Sequence, residues 1–324
     1  MRAAVCPAYG APDVVRIEDR PSPPIEAGQV RVAIEAAAVN FPDVLLVAGE
    51  YQVKVPPPFV PGSEFAGAVV ELGDGVDRLT VGERVFGTGL VGAFAEEIVV
   101  ASGSVTRIPE GVDEAHAAAF GVAHRTANHV LRSVADVQPG EEVVVLGAGG
   151  GVGLAAVQLA VLLGATVTAV ASSPEKLAVA ASYGAEHLID HRTTDLRQAL
   201  REALPGGADV VVDPVGGDLA EPALRSLHYG GRFVTVGYAS STIPRIPLNL
   251  VLLKGIHVLG FEFLSFATHE PEALARDEAD VLGLLAAGKV VPHIGATFAL
   301  EDAAAALRHV ADGRAIGKVV LRIP

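Results

Sequence analysis

The sequence predicts an α/β protein with two domains, one rich in β-strands and one built on a doubly wound parallel sheet of six strands. The first observation is the length of 324 residues, which suits two cores better than one. The second is a series of short strand-like segments separated by turn residues over the first third of the chain. The third is a regular alternation of apolar strands and helices between residues 142 and 261.

Strands dominate the first third of the chain. Val30, Val32 and Ile34 alternate with polar residues and therefore share one strand face. Further strands are predicted at 65–72, 84–86, 94–100, 105–108 and, near the other end of the chain, 292–298. Because both terminal pieces have this character, we expect them to form one discontinuous domain, 1–123 with 265–324, around an inserted domain at 124–264.

The inserted domain shows the alternation of a parallel sheet. Strands are predicted at 142–146, 166–171, 186–189, 208–213, 232–236 and 256–261. Helices are predicted at 152–163, 174–183, 194–204 and 219–227. Helices between successive strands cover both faces of such a sheet, and ligands bind at the carboxyl ends of its strands.

Residues 143–172 form a charge-free segment that combines a buried strand, a glycine turn, a small-residue helix and a second buried strand. A transmembrane helix is the first alternative, but five glycines between 147 and 153 would break it. A turn that binds nothing is the second, and the strand–turn–helix context favours binding. The predicted pyrophosphate contacts are Gly147, Ala148, Gly150, Gly151, Val152 and Gly153, where backbone N–H groups can approach an anion.

The second strand of this unit ends without an acidic residue. A site for NAD normally has Asp or Glu about 20 residues beyond the glycines, to bind the ribose 2′-hydroxyl. Ser172, Ser173 and Lys176 stand there instead, with Arg192 as a second cation. Hydroxyls and cations suit a 2′-phosphate, so the predicted cofactor is NADPH. Alternatively, Ser173 is an ordinary N-cap before Pro174, which is compatible with anion binding.

The composition indicates which kinds of partner the protein binds and in which cellular compartment we expect it. Charged residues make up 19% of the chain, and its apolar half indicates a globular protein. A net charge of −14 argues against a nucleic-acid surface. The single cysteine, Cys6, excludes an internal disulfide and fits a reducing cytoplasm. Residues 1–7 lack the apolar core of a secretion signal. We expect a cytoplasmic protein that binds small molecules, with no nucleic acid and no membrane.

Five motifs together resemble a known family: Ala38–Asp43, Val60–Glu64, Gly147–Gly153, Ala171–Lys176 and Gly317–Leu321. Over nearly its full length the chain resembles the zinc-independent quinone oxidoreductases of the medium-chain dehydrogenase/reductase superfamily. The resemblance implies a GroES-like domain and a Rossmann domain, with hydride transfer from NADPH to a quinone in the cleft between them. An enoyl or alkenal reductase uses the same fold and cofactor and stays the alternative, although an acidic chain suits a quinone better than a charged thioester. A non-catalytic NADPH-binding protein is a further alternative.

The motifs also bear on metal binding. The zinc alcohol dehydrogenases of the superfamily carry Cys at the position of Asn40 and His at the position of Ser63. Neither amide nor hydroxyl is a good zinc ligand, and one cysteine cannot form a structural zinc site. We therefore expect no metal, and an acceptor whose conjugated carbonyl takes up hydride without a Lewis acid.

The resemblance assigns roles to individual residues. It implies that Asn40, Asp43 and Tyr51 face the nicotinamide, where Asn40 can polarise the acceptor carbonyl and Tyr51 can donate a proton. For Asp43, capping the helix after Pro42 is an equal alternative. For Tyr51, packing at the rim of the cleft is an equal alternative, and for Asn40 the alternative is a turn cap satisfied by the backbone. The resemblance implies that Thr126 contacts the nicotinamide amide and that Lys318 reaches the nicotinamide side.

Two expectations concern the far edge of the sheet. Gly237, Tyr238, Phe261 and Phe263 are predicted at strand ends that line the cofactor crevice. The apolar strand at 256–261 is predicted to lie last in the sheet, where an edge can pair with a second copy to form a homodimer.

Overall fold

The computed structural model describes all residues, 1–324, and contains two compact units. Unit 1 comprises Met1–Val122 and Val291–Pro324, and unit 2 comprises Ala123–Val290. The chain therefore leaves unit 1, forms unit 2 and returns, as the strand-rich character of both terminal pieces indicates.

Unit 1 is built mainly of strands. Its strands are β1 (Arg2–Val5), β2 (Arg16–Asp19), β3 (Gln29–Val39), β4 (Glu64–Leu72), β5 (Arg84–Thr88), β6 (Glu97–Ala101), β7 (Val105–Arg107), β14 (Ile294–Ala299) and β15 (Lys318–Arg322). Its helices are α1 (Phe41–Ala48), α2 (Glu114–Phe120) and α11 (Ala303–Ala311).

The main sheet of unit 1 has the order β14-β15-β3-β4-β5-β7, with β6 also paired to β3, while β1 and β2 form a separate pair. Only β14 and β15 run parallel within it. Val39 lies opposite Val319, and Ala38 lies opposite Glu64. This register places the end of β3 beside the first residues of β4 and β15, which sets up the polar cluster described below.

Unit 2 alternates strands and helices. Its strands are β8 (Glu142–Leu146), β9 (Thr166–Ala171), β10 (His187–Asp190), β11 (Ala208–Asp213), β12 (Leu227–Thr235) and β13 (His257–Gly260). Its helices are α3 (Ala123–His129), α4 (Gly151–Leu162), α5 (Pro174–Ser182), α6 (Leu196–Ala203), α7 (Ala220–Ser226), α8 (Leu248–Lys254), α9 (Phe263–His269) and α10 (Pro271–Ala286). A π-helical turn, Val130–Val134, follows α3.

The sheet of unit 2 confirms the predicted doubly wound fold. All six strands are parallel, in the order β10-β9-β8-β11-β12-β13. The order reverses between β8 and β11, which is the switch point where such sheets bind nucleotides. Residues 143–146 of β8 and 169–170 of β9 are essentially inaccessible, so the charge-free segment reflects burial on both sheet faces.

Two features of unit 2 differ from the sequence-based prediction. Helices α8 and α9 were not predicted, because the segments that form them lack a clear helical periodicity and, in α8, Leu248, Leu252 and Leu253 are exposed. The unit also extends to Val290 rather than ending at residue 264, because α10 packs against α3 within unit 2. No helix is long and apolar enough to span a bilayer.

Candidate functional site

The glycine turn lies between β8 and α4, at the switch point of the unit 2 sheet. Gly147 has a φ of +61°, a backbone conformation that favours glycine. A Cβ on Gly153 would overlap the carbonyl oxygen of Gly147, so only glycine allows this close approach of α4 to the turn. Gly150 is the N-cap of α4 and offers no side chain, which leaves the first turn of the helix to an external acceptor.

Lys176 lies directly against this turn. A Cβ on Gly149 would come within 2.5–2.8 Å of the Cβ, Cγ and Cδ atoms of Lys176, so the lysine stem occupies the space that glycine leaves. Its Nζ lies 3.2 Å from the hydroxyl of Ser172. Ser173 is the N-cap of α5, and its hydroxyl accepts a 3.4 Å hydrogen bond from the Lys176 N–H. The capping role of Ser173 and the position of Lys176 beside the glycines therefore occur together.

The surroundings of Lys176 are positively charged. Burial and the nearby Arg192 guanidinium lower the pKa of Lys176. The pKa of His191 is also lowered, first by burial, with Arg192 and Lys176 contributing and Asp190 opposing. Each of these cations disfavours the charged form of the other, and a bound anion would favour the charged form of both. The turn and this cation pair together fit a dinucleotide whose ribose carries a phosphate.

Asp213, at the end of β11, is a buried acid beside the glycine turn that the sequence reasoning missed. Its Oδ1 accepts hydrogen bonds from the N–H groups of Val215 and Gly216, both at 2.8 Å. A Cβ on Gly147 would meet the Val215 side chain at 2.6 Å, so the loop that Asp213 fixes packs against the turn. An acid at the end of an otherwise apolar strand was the available signal.

The other residues predicted at the cofactor site follow the sheet or lie on α3. Gly237 and Tyr238 follow β12, Phe261 follows β13 and Phe263 begins α9. Thr126 is half-buried on α3. Tyr238 is 38% exposed and Phe261 is 9% exposed, so the two aromatic rings differ in their access to a ligand. Their contacts with a cofactor stay predictions.

Unit 1 contains a buried cluster of polar side chains, here called the polar cluster, formed by Asn40, Ser63, Glu64 and Lys318. Lys318 Nζ lies 2.6 Å from Asn40 Oδ1 and also contacts Glu64 Oε1. Asn40 Nδ2 donates to Glu64 Oε1 at 2.9 Å and to Ser63 Oγ at 3.2 Å. Glu64 Oε2 accepts from the Val122 N–H at 2.7 Å. Asn40, Glu64 and Lys318 are each less than 9% exposed.

These contacts fix the Asn40 amide. The ammonium of Lys318 has no acceptor capacity, so the oxygen of Asn40 must face it and the nitrogen must face Glu64 and Ser63. Both Nδ2 hydrogens thus have partners inside the protein. Asn40 can polarise an acceptor carbonyl only by exchanging one of these bonds, and the ammonium beside it is a second potential donor.

Asp43 lies next to the polar cluster and caps α1. Its Oδ2 accepts a 2.7 Å hydrogen bond from the Asn40 N–H. It is fully buried, and Oδ1 has no hydrogen-bond partner. Burial raises the pKa of Asp43 to about 7, and the Glu64 charge acts in the same direction. The hydrogen bonds with Asn40 and Ser63 and the charge of Lys318 act to lower this pKa. The capping geometry supports a positioning role, and a carboxyl with this pKa can hold or release a proton near neutrality.

Tyr51 and Lys318 occupy different kinds of environment. Tyr51 is half-buried and packs against the apolar core of unit 1. Lys318, predicted as a cofactor residue, lies in the polar cluster, 3% exposed. Glu64 belongs to this cluster but was predicted only as part of a motif. A carboxylate directly before the apolar run Phe65–Ala66 was the signal that could have identified it.

The side chains of this chain do not assemble a metal site. No group of three or more His, Cys, Asp or Glu side chains comes together with the geometry that a metal ion needs. At the positions discussed above for zinc stand an amide, Asn40, and a hydroxyl, Ser63. The amide nitrogen of Asn40 donates hydrogen bonds to Glu64 and to the Ser63 hydroxyl.

The nucleotide-type sheet with its glycine turn, joined to a strand-rich unit with a buried polar cluster, defines a dehydrogenase/reductase of the medium-chain type. The alcohol dehydrogenase GroES-like domain model matches residues 26–110, and the zinc-binding dehydrogenase model matches residues 151–278. Quinone oxidoreductase-like protein 2 of Bos taurus is 37% identical over 324 residues, covering 99% of this chain and 92% of that protein.

Solved structures agree with the sequence matches. The quinone oxidoreductase of Thermus thermophilus, solved also in complex with NADPH, is 34% identical with a TM-score of 0.87, covering 99% of this chain and 100% of that one. The Escherichia coli quinone oxidoreductase complexed with NADPH is 26% identical with a TM-score of 0.91, at the same coverage. The chain belongs to the quinone oxidoreductase family of the medium-chain dehydrogenase/reductase superfamily, and it is an oxidoreductase that uses a nicotinamide cofactor.

Proposed function

We propose that the chain is a zinc-independent quinone reductase that takes its electrons from NADPH. The observation that carries the cofactor choice is the position of Lys176, packed on Gly149 of the turn and beside Arg192. Both cations lie near the carboxyl end of β9, a strand that ends in Ala171 and is followed by Ser172 and Ser173, without the acid that would bind a free ribose hydroxyl. Relatives solved with NADPH support the same choice.

The residues of the chain then have distinct tasks. Bound NADPH supplies a hydride from its nicotinamide ring. The glycine turn and α4 would hold the pyrophosphate, while Ser172, Ser173, Lys176 and Arg192 would hold the 2′-phosphate. We assign Thr126, Gly237, Tyr238, Phe261 and Phe263 to the remaining cofactor contacts.

The polar cluster supports an acceptor that needs no metal. Lys318 contributes a buried ammonium and Asn40 an amide, which suit the stabilisation of negative charge on a conjugated oxygen better than they suit metal binding. Asp43, with a pKa of about 7 raised by burial, and Tyr51 are the proposed proton-holding groups. A quinone has the conjugated oxygens that this chemistry requires.

The test is NADPH and NADH oxidation with 1,4-naphthoquinone and, in parallel, with crotonyl-CoA. We expect turnover on the quinone and a preference for NADPH. Lys176→Ala should weaken NADPH use by about 10- to 100-fold, the value of one charge-assisted contact, and leave NADH use nearly unchanged. Lys289→Ala, at an exposed lysine of the same unit, is the matched control.

The other results have clear meanings. Turnover on crotonyl-CoA alone would replace the quinone with an enoyl substrate and make Tyr51→Phe the next variant. An NADH preference would contradict the assignment of Lys176 and Arg192. NADPH binding without turnover on either acceptor would favour a non-catalytic binding protein.

We also propose a homodimer formed through the β13 edge of unit 2, in a cytoplasmic protein. β13 is the last strand of its sheet, and Val258 on it is 43% exposed. Ile243, Leu252 and Leu253, in the segment that precedes this strand, are each at least 70% exposed. An apolar surface beside an open strand edge favours pairing with a second copy. Light scattering should give the mass of a dimer for the wild type and of a monomer for Val258→Lys.

A further inference from the structure

A histidine at the end of α3 has no access to solvent and has a carboxylate at each ring nitrogen. His129 is 0% exposed. Its Nδ1 lies 3.1 Å from Asp277 Oδ2, and its Nε2 lies 3.1 Å from Glu278 Oε1. The two acids are consecutive residues of α10, so the ring links α3 to α10 through both of its nitrogens.

The hydrogen-bond inventory of the ring sets its charge. A neutral imidazole carries one N–H, so one of its nitrogens would face a carboxylate lone pair to lone pair. An imidazolium donates from both nitrogens and satisfies both acids. Burial acts to raise the pKa of Glu278, but the hydrogen bond to His129 and the charge of Arg125 hold that pKa below its usual range. Glu278 is therefore an ionised partner for the ring.

Two arginines and a serine also contact the two acids. Arg125 Nε donates to Glu278 Oε1 at 2.6 Å. Arg276 donates to Asp277 Oδ1 at 2.9 Å, and the Ser133 hydroxyl donates to Asp277 Oδ2 at 2.5 Å. Ser133 reaches the acid from the π-helical turn that begins directly after His129, and such turns frequently occur at functional sites.

Aromatic rings enclose the same histidine. The centroids of Phe261, Phe263 and Phe266 lie 5.9, 5.8 and 5.0 Å from that of His129. The Arg125 guanidinium lies 5.0 Å from the centroid of Phe263. Aromatic faces stabilise cations at these distances. The segment 261–266, which follows β13, is therefore tied to α3 by contacts with His129 and Arg125.

We propose that His129 is a buried imidazolium that positions the 261–266 segment and Arg125 for cofactor binding. It acts on the segment through its contacts with the three phenylalanine rings and on Arg125 through the shared Glu278 carboxylate, and it touches neither cofactor nor substrate. This inference rests on the proposed function, which assigns Phe261, Phe263 and Thr126 to the cofactor site. It adds a positioning residue that lies behind that site.

The first experiment measures the protonation of the His129 ring nitrogens. In wild-type protein with ¹⁵N-labelled histidine at pH 7.5, we expect His129 to show two protonated ring nitrogens, whereas exposed histidines at that pH are largely neutral. Glu278→Gln should return His129 to a single N–H, directed at Asp277. A neutral His129 in the wild type would overturn the inference, because the two carboxylates would then not require a cation.

The second experiment measures the effect of substitutions on the use of NADPH. His129→Gln and Glu278→Gln should each lower kcat/KM for NADPH about tenfold or more, through a higher KM, since small displacements of binding groups have effects of this size. His116→Gln, at a histidine on α2 with a half-exposed side chain, is the matched control and should leave the constants unchanged. Variants that fold, melt at a lower temperature and keep the wild-type KM would show a structural role only and contradict the inference.

The two proposals fail in different ways. If His129→Gln does not fold, Glu278→Gln, at a residue 28% exposed in its side chain, provides the same comparison. Wild-type protein that binds no NADPH would overturn the proposed function and the positioning role together, whatever the ring charge. Wild-type protein that binds NADPH with a neutral His129 would overturn only the present inference.

Discussion

The glycine turn of unit 2 and the polar cluster of unit 1 are built in opposite ways. The turn and its cation come from residues 147–153 and 172–176, joined by one helix and one strand. The polar cluster joins Asn40 to Glu64 across 24 residues and to Lys318 across 278 residues. The turn works through backbone geometry, whereas the cluster works through side-chain charge. This difference predicts which substitutions damage each site.

The largest expected effect is on the polar cluster. Lys318→Met leaves the Glu64 carboxylate buried without its cation, which we expect to lower the free energy of unfolding by about 3–5 kcal/mol. The double variant Lys318→Met with Glu64→Gln removes both charges and should be much less destabilised than the sum of the single variants. Urea unfolding of the three variants measures this coupling.

A surface pair is the matched control for this cycle. Arg314 and Asp312 are also joined by an ion pair, at 2.8 Å, but their side chains are 56% and 50% exposed. Arg314→Met should cost about 1 kcal/mol or less. Additive effects of the Lys318 and Glu64 substitutions would show that the two groups do not depend on each other and would contradict the cluster as a unit.

The glycine turn should respond to the smallest possible side chain. Gly153→Ala places a Cβ against the carbonyl oxygen of Gly147, which belongs to the backbone and cannot move aside. We expect α4 to shift from the turn and NADPH affinity to fall about 100-fold or more, about 3 kcal/mol. Fluorescence titration with NADPH measures the affinity.

Gly206→Ala serves as its control, because a Cβ there meets nothing within 4 Å and Gly206 does not have a positive φ. It should bind NADPH as the wild type does. Unchanged affinity in Gly153→Ala would mean that the turn does not hold the dinucleotide and that the cofactor lies elsewhere on unit 2.

The same contrast explains what sequence reasoning could predict. The strands β8, β9 and β11 have the predicted bounds, because apolar β-branched runs between turn residues define buried parallel strands locally. The turn, Ser173 as N-cap and Lys176 beside the glycines follow from spacing along one segment.

The parts that sequence reasoning missed depend on long-range pairing. The contact of Lys318 with Glu64 requires the register of β15, β3 and β4, which no local pattern contains. The contact of His129 with Asp277 likewise requires the packing of α10 on α3. That packing also moves residues 265–290 from the predicted first domain into unit 2. Charges inside apolar segments were the signals present, but they do not identify their partners.

The smallest expected effect tests whether the neighbourhood of the polar cluster titrates. Burial raises the pKa of Asp43 from 3.8 to about 7, so between these values the folded state holds a proton that the unfolded state has released. The free energy of unfolding therefore falls as the pH rises through this window, and above pH 7 the folded state carries the whole penalty of a buried, ionised Asp43. Relative to Asp43→Asn, which keeps an acceptor for the Asn40 N–H and does not titrate, the wild type should lose about 1 kcal/mol between pH 6 and pH 8. Urea unfolding across that range measures the difference, with the exposed Asp218→Asn as a control that should parallel the wild type. If the wild-type and Asp43→Asn curves also ran parallel, Asp43 would keep one charge state throughout, and its role would be limited to capping α1.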